Sequence, residues 1–231
     1  TPGIDTLEVI YAPPSLQTIA SLQSMMRTAR RPGYAIVDGK MRLLPPSEVR
    51  RVPIPGAKPR PAIRAGAGEV TFFESDARTR NCETFFANDT LGKVAPIFKL
   101  WNGLNTVISG ETLDRWSDEV ILKLKKNPPP EDPATQRYVV VANGKGPSAS
   151  TRVVVNGSSP YAVTGFLCAM AAQTLLAGKA TRYGYVSPGQ AFGPRYVFQR
   201  LEEIGTTVTV DAGQAPQASP TRIGGPVAAR A

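Results

Sequence analysis

Residues 137–157 read RYVVVANGKGPSASTRVVVNG, and this stretch decides the fold class. Two valine-rich runs, residues 137–144 and 150–157, each end in Asn-Gly. Valine favours strands, and a five-residue connection that contains glycine and proline suits a hairpin. We therefore predict an antiparallel pair of strands here. This pair would lie within a mixed, largely antiparallel sheet of an α+β domain.

A helix is predicted directly after the second strand, in SSPYAVTGFLCAMAAQTLLAGK (residues 158–179). Ser159 is a candidate N-cap, Pro160 suits the first turn, and Gly178 suits the end. Most of its side chains are apolar or small on every side, which predicts burial on a sheet or against a partner. The face expected to pack consists of Tyr161, Thr164, Leu167, Ala171 and Leu175.

The next segment, TRYGYVSPGQAFGPRYVFQRLEEIG (residues 181–205), predicts a short strand, a turn at Ser187-Pro188-Gly189 and a helix that Gly205 ends. TTVTVDAG (residues 206–213) predicts a last strand. The tail from 214 to 231 has no periodicity and is expected to be flexible.

The chain before residue 137 predicts the rest of one domain that spans residues 1–213, with helices packed on the sheet. Its expected elements are a strand at 5–12, a helix at 15–30 capped by Ser15, a hairpin at Asp38-Gly39, a proline-rich extended excursion or lid at 45–68, strand character at 68–81, helices at 91–127 divided at Gly110, and a loop at 127–136.

The composition excludes several kinds of function. The net charge is +9, from 27 Lys and Arg against 18 Asp and Glu, so the surface attracts anions. No dense basic run alternates with aromatic residues, which favours an ordinary solvated surface over a nucleic-acid groove. Because the sequence has no histidine, catalytic triads and most zinc sites are excluded, and we expect no metal site.

The two cysteines fit neither a metal spacing nor a disulfide framework. Cys168 lies in the apolar helical run and is expected to be a buried, inert thiol. Cys82 follows a charged stretch, so an exposed, reactive thiol stays open there. No run of 18 apolar residues and no signal peptide are found, so we expect no transmembrane segment and a cytoplasmic protein.

The charged cluster ESDARTRNCE (residues 74–83) contains the first candidate site. Arg78 and Arg80 are two residues apart, so in an extended strand both point to one side and can hold a carboxylate or phosphate, oriented by Asp76. The alternative is a solvated strand end with local ion pairs. Tyr161, Tyr183 and Tyr185 could donate a proton, although tyrosines at such positions commonly pack a ring at the edge of a core.

The C-terminal segments resemble the C-terminal domain of saccharopine-dehydrogenase-like (saccharopine reductase-like) oxidoreductases. The N-terminal stretches IDTLEVIYAPPSLQTIASL (residues 4–22) and AIVDGKMRLLPP (residues 35–46) resemble the same family just after its nucleotide-binding half. The matching residues of the C-terminal segments are Gly157, Pro160, Tyr161, Thr164, Gly178, Gly184, Ser187, Pro188, Ala191, Phe192, Gly193 and Gly205.

This resemblance implies a substrate-binding and dimerisation domain that follows an N-terminal Rossmann domain carrying NAD(P). The present residues lack a Gly-x-Gly-x-x-Gly motif that opens a helix, so they would bind no cofactor and would not transfer hydride alone. The partners implied are a second copy, the Rossmann domain and a small-molecule substrate, either an amino-acid conjugate or a lipid-like molecule. The resemblance carries over no catalytic residue.

Within that reading, Arg78 and Arg80 are expected to anchor an anionic substrate group. Tyr161, Thr164 and Tyr183 are expected to line the wall that faces the cofactor. The alternative is a non-catalytic module that kept the fold for ligand binding or dimerisation.

Overall fold

A computed structural model of the chain describes residues 3–14, 18–30, 32–44, 49–74, 76–89, 91–92, 108–124 and 132–213. Their strands form one nine-stranded sheet, and six helices accompany it. Seven strands follow the order β3-β2-β6-β1-β7-β8-β9, while β5 pairs with β6 and β4 pairs with β5. The predicted α+β fold with a mixed, largely antiparallel sheet is confirmed.

The strands are β1 (Thr6–Ala12), β2 (Gly33–Val37), β3 (Lys40–Leu44), β4 (Arg50–Val52), β5 (Arg60–Arg64), β6 (Asn81–Ala87), β7 (Arg137–Lys145), β8 (Ser150–Ser158) and β9 (Thr207–Gly213). The helices are α1 (Ile19–Arg30), α2 (Gly68–Phe73), α3 (Gly110–Leu124), α4 (Pro160–Leu176), α5 (Pro188–Phe192) and α6 (Pro194–Glu202).

Strand β1 lies at the centre of the sheet. It pairs in parallel with β6 and antiparallel with β7, so that Ile10 is opposite Phe85 on one side and Val141 on the other. All other pairs of the described strands are antiparallel. A parallel pair needs a long crossover, and residues 13–80 provide it.

The two faces of the sheet carry different cores, because successive side chains in a strand point to opposite faces. On one face Ile10, Phe85 and Val141 pack with Val52 and Ile54 from the segment around β4. The other face carries the helices. There one cluster joins Met25, Ile63, Leu91 and Ile121, and a second joins Ile36, Val70 and Cys82.

Several elements that were predicted from short stretches of sequence are confirmed: a hairpin turn, the valine-rich strand pair, the last strand and the first helix. Asp38 and Gly39 have φ values of 51° and 75°, as a two-residue hairpin between β2 and β3 requires. The valine-rich runs pair as β7 and β8, and β9 adds to β8. Helix α1 begins at Ile19, where the Thr18 hydroxyl accepts the Ser21 N–H at 3.2 Å.

The strand predicted over residues 68–81 is wrong in its first part. Residues 68–73 form α2, because Val70 and Phe73 are one helical turn apart and both pack on the cluster of Ile36 and Cys82. Glu69 also suits the first turn of a helix. The strand β6 begins only at Asn81. Tertiary packing outweighs the β propensity of Val-Thr-Phe-Phe.

Two further expectations are corrected. The excursion at 45–68 contains a strand pair, β4 and β5, and β5 joins β6 in the sheet; residues 45–48 lie outside the described residues. The strand expected at 181–186 is absent, since these residues form bends. Ser187 instead caps α5, accepting the Gln190 N–H at 3.2 Å, and Gly193 at φ 87° separates α5 from α6.

Helix α4 has the predicted ends but not the predicted surroundings. Pro160 opens it, and Gly178 follows its end with φ 66°. Ser159 adopts φ 52° and makes no side-chain cap. Only Met170 and Thr174 are buried, whereas Leu176 is 90% exposed. Within the described part of the chain, the helix is therefore not enclosed by the sheet.

Several expectations fall outside the described residues. They are the cap at Ser15, the helix over 93–107, the first half of the 127–136 loop (residues 127–131) and the tail from 214 to 231.

The ring of Tyr138 requires glycine at position 157. A Cβ on Gly157 would lie 2.4 Å from the Tyr138 hydroxyl oxygen, because the tyrosine ring covers its cross-strand partner. We expect Gly157→Ala to lower the free energy of unfolding by about 1–3 kcal/mol in urea denaturation. Gly165→Ala is the control: α4 leaves its Cβ position open, so it should raise stability by about 1 kcal/mol. If Gly157→Ala is as stable as the parent protein, the Tyr138 ring does not pack closely on position 157.

Candidate functional site

A cleft of about 400 Å³ lies on the helical face of the sheet, at the carboxyl ends of β1 and β6. Its volume falls in the range of small-molecule sites. Two groups of side chains line it. The apolar group includes Pro13, Pro14, Met25, Ile63, Phe86 and Pro160, and the hydroxyl group consists of Ser21, Ser24, Thr28, Tyr161 and Thr164.

Parts of the chain that are distant in sequence form the walls of the cleft. Pro13 and Pro14 follow β1, and α1 contributes the serines and Met25. The opposite wall is the first turn of α4. A hydroxyl cluster joins the two walls: Tyr161 Oη lies 2.6 Å from Ser21 Oγ and 3.3 Å from Thr18 Oγ1. Thr164 donates to the Pro160 carbonyl at 2.8 Å, which orders the same turn.

A carboxylate with two hydroxyl donors lies on the same face as the cleft. The hydroxyls of Tyr11 and Thr84 both donate to Glu69 of α2. Tyr11 is opposite the cleft residue Phe86 in the β1–β6 pair, so the two rings share a face. Burial, followed by the Glu69 charge and hydrogen bond, raises the pKa of Tyr11 far above its ordinary value. The tyrosine hydroxyl therefore stays protonated and anchors α2 to the sheet.

Sequence reasoning missed this cluster. Glu69 falls in the segment that the sequence predicts as a strand, and nothing in that prediction places its carboxylate beside Tyr11 and Thr84. The available signal was a glutamate at the start of a short segment with Val70 and Phe73 at helical spacing.

Arg78 and Arg80 lie away from the cleft. They precede β6, whereas Phe86 is near its end, about 20 Å further along the strand. The expectation that an extended strand places them side by side is wrong, because residues 76–80 form a turn. Arg78 forms a two-point ion pair with Asp76, with contacts of 2.9 and 2.6 Å, which lowers the pKa of Asp76 to about 2. Arg80 lies 3.7 Å from Asp38.

Of the predicted tyrosines, the structure places only Tyr161 in the cleft. Tyr183 is 74% exposed in the segment between α4 and α5 and does not line the cleft. Tyr185 stacks on Phe72 of α2, with ring centroids 5.3 Å apart. The five predicted substrate-binding residues therefore separate into Tyr161 and Thr164 at the cleft, and Arg78, Arg80 and Tyr183 elsewhere.

The expectation for Cys168 is wrong, and the possibility left open for Cys82, an exposed thiol, is not what the structure shows. Cys82 is fully buried between β2 and α2, and burial, with the charges of Glu69 and Glu83, raises its pKa to about 12. Cys168, expected to be buried, lies on the exposed side of α4. The reason is the same in both cases: α2 covers the start of β6, and no described element covers the outer side of α4.

The described residues contain no group of three or more acidic or cysteine side chains arranged to hold a metal ion. None of their helices has the length and apolar character to cross a membrane.

Comparison with known families gives one result. Residues 1–211 match a family of unknown function, DUF5938. The chain belongs to this family. The match covers every described strand and helix except the end of β9, so the cleft and α4 both lie within the DUF5938 region. No curated protein matches the chain.

The Glu69 cluster generates a stability prediction. Glu69→Leu leaves the Tyr11 and Thr84 hydroxyls without their acceptor, and we expect it to cost about 1–3 kcal/mol of unfolding free energy. Glu69→Gln keeps an acceptor oxygen and should cost clearly less. Urea denaturation of both variants measures the difference. If the two variants are equally stable, the hydrogen bonds do not anchor α2.

Proposed function

We propose that this chain is the substrate-binding and dimerisation domain of a cytoplasmic NAD(P)-dependent oxidoreductase of the saccharopine-dehydrogenase-like type. In this proposal the cleft holds the substrate, with Tyr161 and Thr164 in its wall. A Rossmann domain encoded before Thr1 carries the dinucleotide. The domain then shapes the substrate site, and the cofactor supplies the chemistry.

The observation that carries this proposal is the composition of the cleft walls. Two of the sequence segments that resemble the oxidoreductase family, residues 4–22 and the C-terminal segment from Gly157, are separated by more than a hundred residues, yet they meet there. Pro13, Pro14 and Ser21 come from the first segment, and Pro160, Tyr161 and Thr164 come from the second. If both segments form the walls of one substrate cleft, this common role explains why both resemble the same oxidoreductase family.

The surface of α4 supports the dimerisation part. Residues 160–178 contain no charged side chain, and Tyr161, Leu175 and Leu176 are 46%, 51% and 90% exposed. Exposed apolar surface of this extent is typical of an interaction site. Because each copy carries a charge of +9, an uncharged helix is a favourable place for two copies to meet.

A non-catalytic module for ligand binding or dimerisation is the alternative. It would use the same cleft and the same helix without a cofactor. The discriminating property is dinucleotide binding by the longer gene product, since a module of this kind needs no Rossmann domain.

The cofactor assignment is tested with two proteins: the 231-residue chain and the product that includes the coding sequence upstream of Thr1. We expect fluorescence titration with NADPH and with NADH to show saturable binding of at least one of them to the longer product and of neither to the chain. Equal binding by the chain would contradict the division of roles. Absence of binding by the longer product would contradict the oxidoreductase assignment and leave the non-catalytic module.

Dimerisation through α4 is tested by the accessibility of Cys168. We expect a thiol reagent to label Cys168 rapidly in dilute protein and more slowly as the concentration rises, because association covers the helix. Buried Cys82 should react only after unfolding, so Cys168→Ser gives the background rate. Sedimentation of the same samples should show the dimer. Labelling that does not depend on concentration, with a monomer throughout, would contradict the proposal.

A further inference from the structure

The lining of the cleft has a property that selects among substrates. Among the described residues that form it, none is charged, although charged residues make up 19% of the chain. The polar atoms it offers are hydroxyl groups. We infer that the cleft binds an uncharged, largely apolar small molecule: an alkyl or acyl chain that ends in a neutral oxygen-bearing group. This inference rests on the proposed function in one respect, that the cleft is the substrate site.

Two described arginines next to the lining, one bonded to Pro13 and one adjacent to Thr28 in sequence, are already engaged. Arg60 donates to the Pro13 carbonyl at 3.2 Å and lies 3.7 Å from the Asp89 carboxylate. Arg27, on the same helix as Met25, forms an ion pair with Asp118 of α3. Neither guanidinium lines the cleft. Both are therefore held by the protein's own carboxylates and carbonyls.

A carboxylate in this cleft would lose hydration without gaining a counter-ion. Burying an unpaired charge costs several kcal/mol, whereas a neutral hydroxyl or carbonyl loses little if it is hydrogen-bonded. The net charge of +9 does not compensate for this loss, because exposed charges act only weakly across solvent at physiological salt. The lining thus discriminates against amino-acid conjugates and other multiply charged substrates.

The arrangement of the lining suggests how a neutral molecule lies in it. Met25, Ile63 and Phe86 form an apolar floor from α1, β5 and β6. At one side, the Thr18–Ser21–Tyr161 hydroxyl cluster provides donors and acceptors that rotate to suit a single neutral oxygen. We place the alkyl part on the floor and the oxygen at this cluster.

The test compares three ligands that share a twelve-carbon chain: 1-dodecanol, dodecanoate and dodecylammonium. Each competes with Nile red, a neutral fluorescent probe, for the 231-residue chain below micellar concentrations. Salt at 0.5 M suppresses non-specific attraction of dodecanoate to the basic surface. We expect 1-dodecanol to displace the probe at a concentration at least tenfold lower than either charged ligand.

Variants on α1 locate the binding. Ser24→Trp fills the cleft and should reduce Nile red and 1-dodecanol affinity at least tenfold. Ala20→Trp is the matched control, because Ala20 is exposed on the same helix, one turn away, and does not line the cleft. Ser24→Lys supplies the missing cation and should reverse the order, so that dodecanoate binds more tightly than 1-dodecanol.

Three outcomes overturn the inference: dodecanoate or dodecylammonium binding as tightly as 1-dodecanol at high salt, no displacement by 1-dodecanol, or no loss of affinity in Ser24→Trp relative to Ala20→Trp. The titration with NADPH and NADH separates this result from the oxidoreductase proposal. If the chain binds the neutral ligand but the longer product binds neither NADPH nor NADH, the neutral-ligand inference is supported and the oxidoreductase proposal is contradicted. If the longer product binds NADPH or NADH but the chain prefers the charged ligands, the oxidoreductase proposal is supported and the neutral-ligand inference is contradicted.

Discussion

The parallel pairing of β1 with β6 determines where the cleft of this protein forms. Because the two strands run in the same direction, Ala12 and Ala87 reach the same edge of the sheet, and the residues that follow β1 turn over that edge. The long connection between the strands must cross the sheet, and it places α1 over the helical face. The cleft forms where α1, this edge and the start of α4 meet. An antiparallel β1–β6 pair would separate Pro13 from Phe86 by the length of a strand.

Helix α4 has two roles in this arrangement. Its first turn closes one side of the cleft through Tyr161 and Thr164, while its remaining length presents uncharged surface to the outside. In the proposed function, ligand binding and association would therefore be connected physically through a single helix. The charge distribution agrees with this division, since the described ion pairs of Arg27, Arg60 and Arg78 lie outside the cleft and outside α4.

The sequence predicted the elements whose signals are local. Asp38-Gly39 specifies its turn, and the valine runs specify β7 and β8. It could not predict α2, because Val70 and Phe73 favour a strand until they pack against Ile36. The burial of Cys82 and the exposure of Cys168 could not be predicted for the same reason, since burial depends on which element covers a residue. The family resemblance predicts Tyr161 and Thr164 as site residues. Ser21, the hydrogen-bond partner of Tyr161, is 140 positions away in the sequence, and only the sheet topology brings the two together.

The central claim is that a neutral ligand occupies the cleft at the carboxyl ends of β1 and β6. Methyl NMR of methionine-labelled protein tests it directly, because Met25 lines the cleft while Met41 packs on the cluster of Ile36 and Cys82. Substitution of each methionine assigns the signals. Titration with 1-dodecanol should shift the Met25 methyl signal in a saturable way and leave that of Met41 unchanged. A shift at Met41 with none at Met25 would contradict the account.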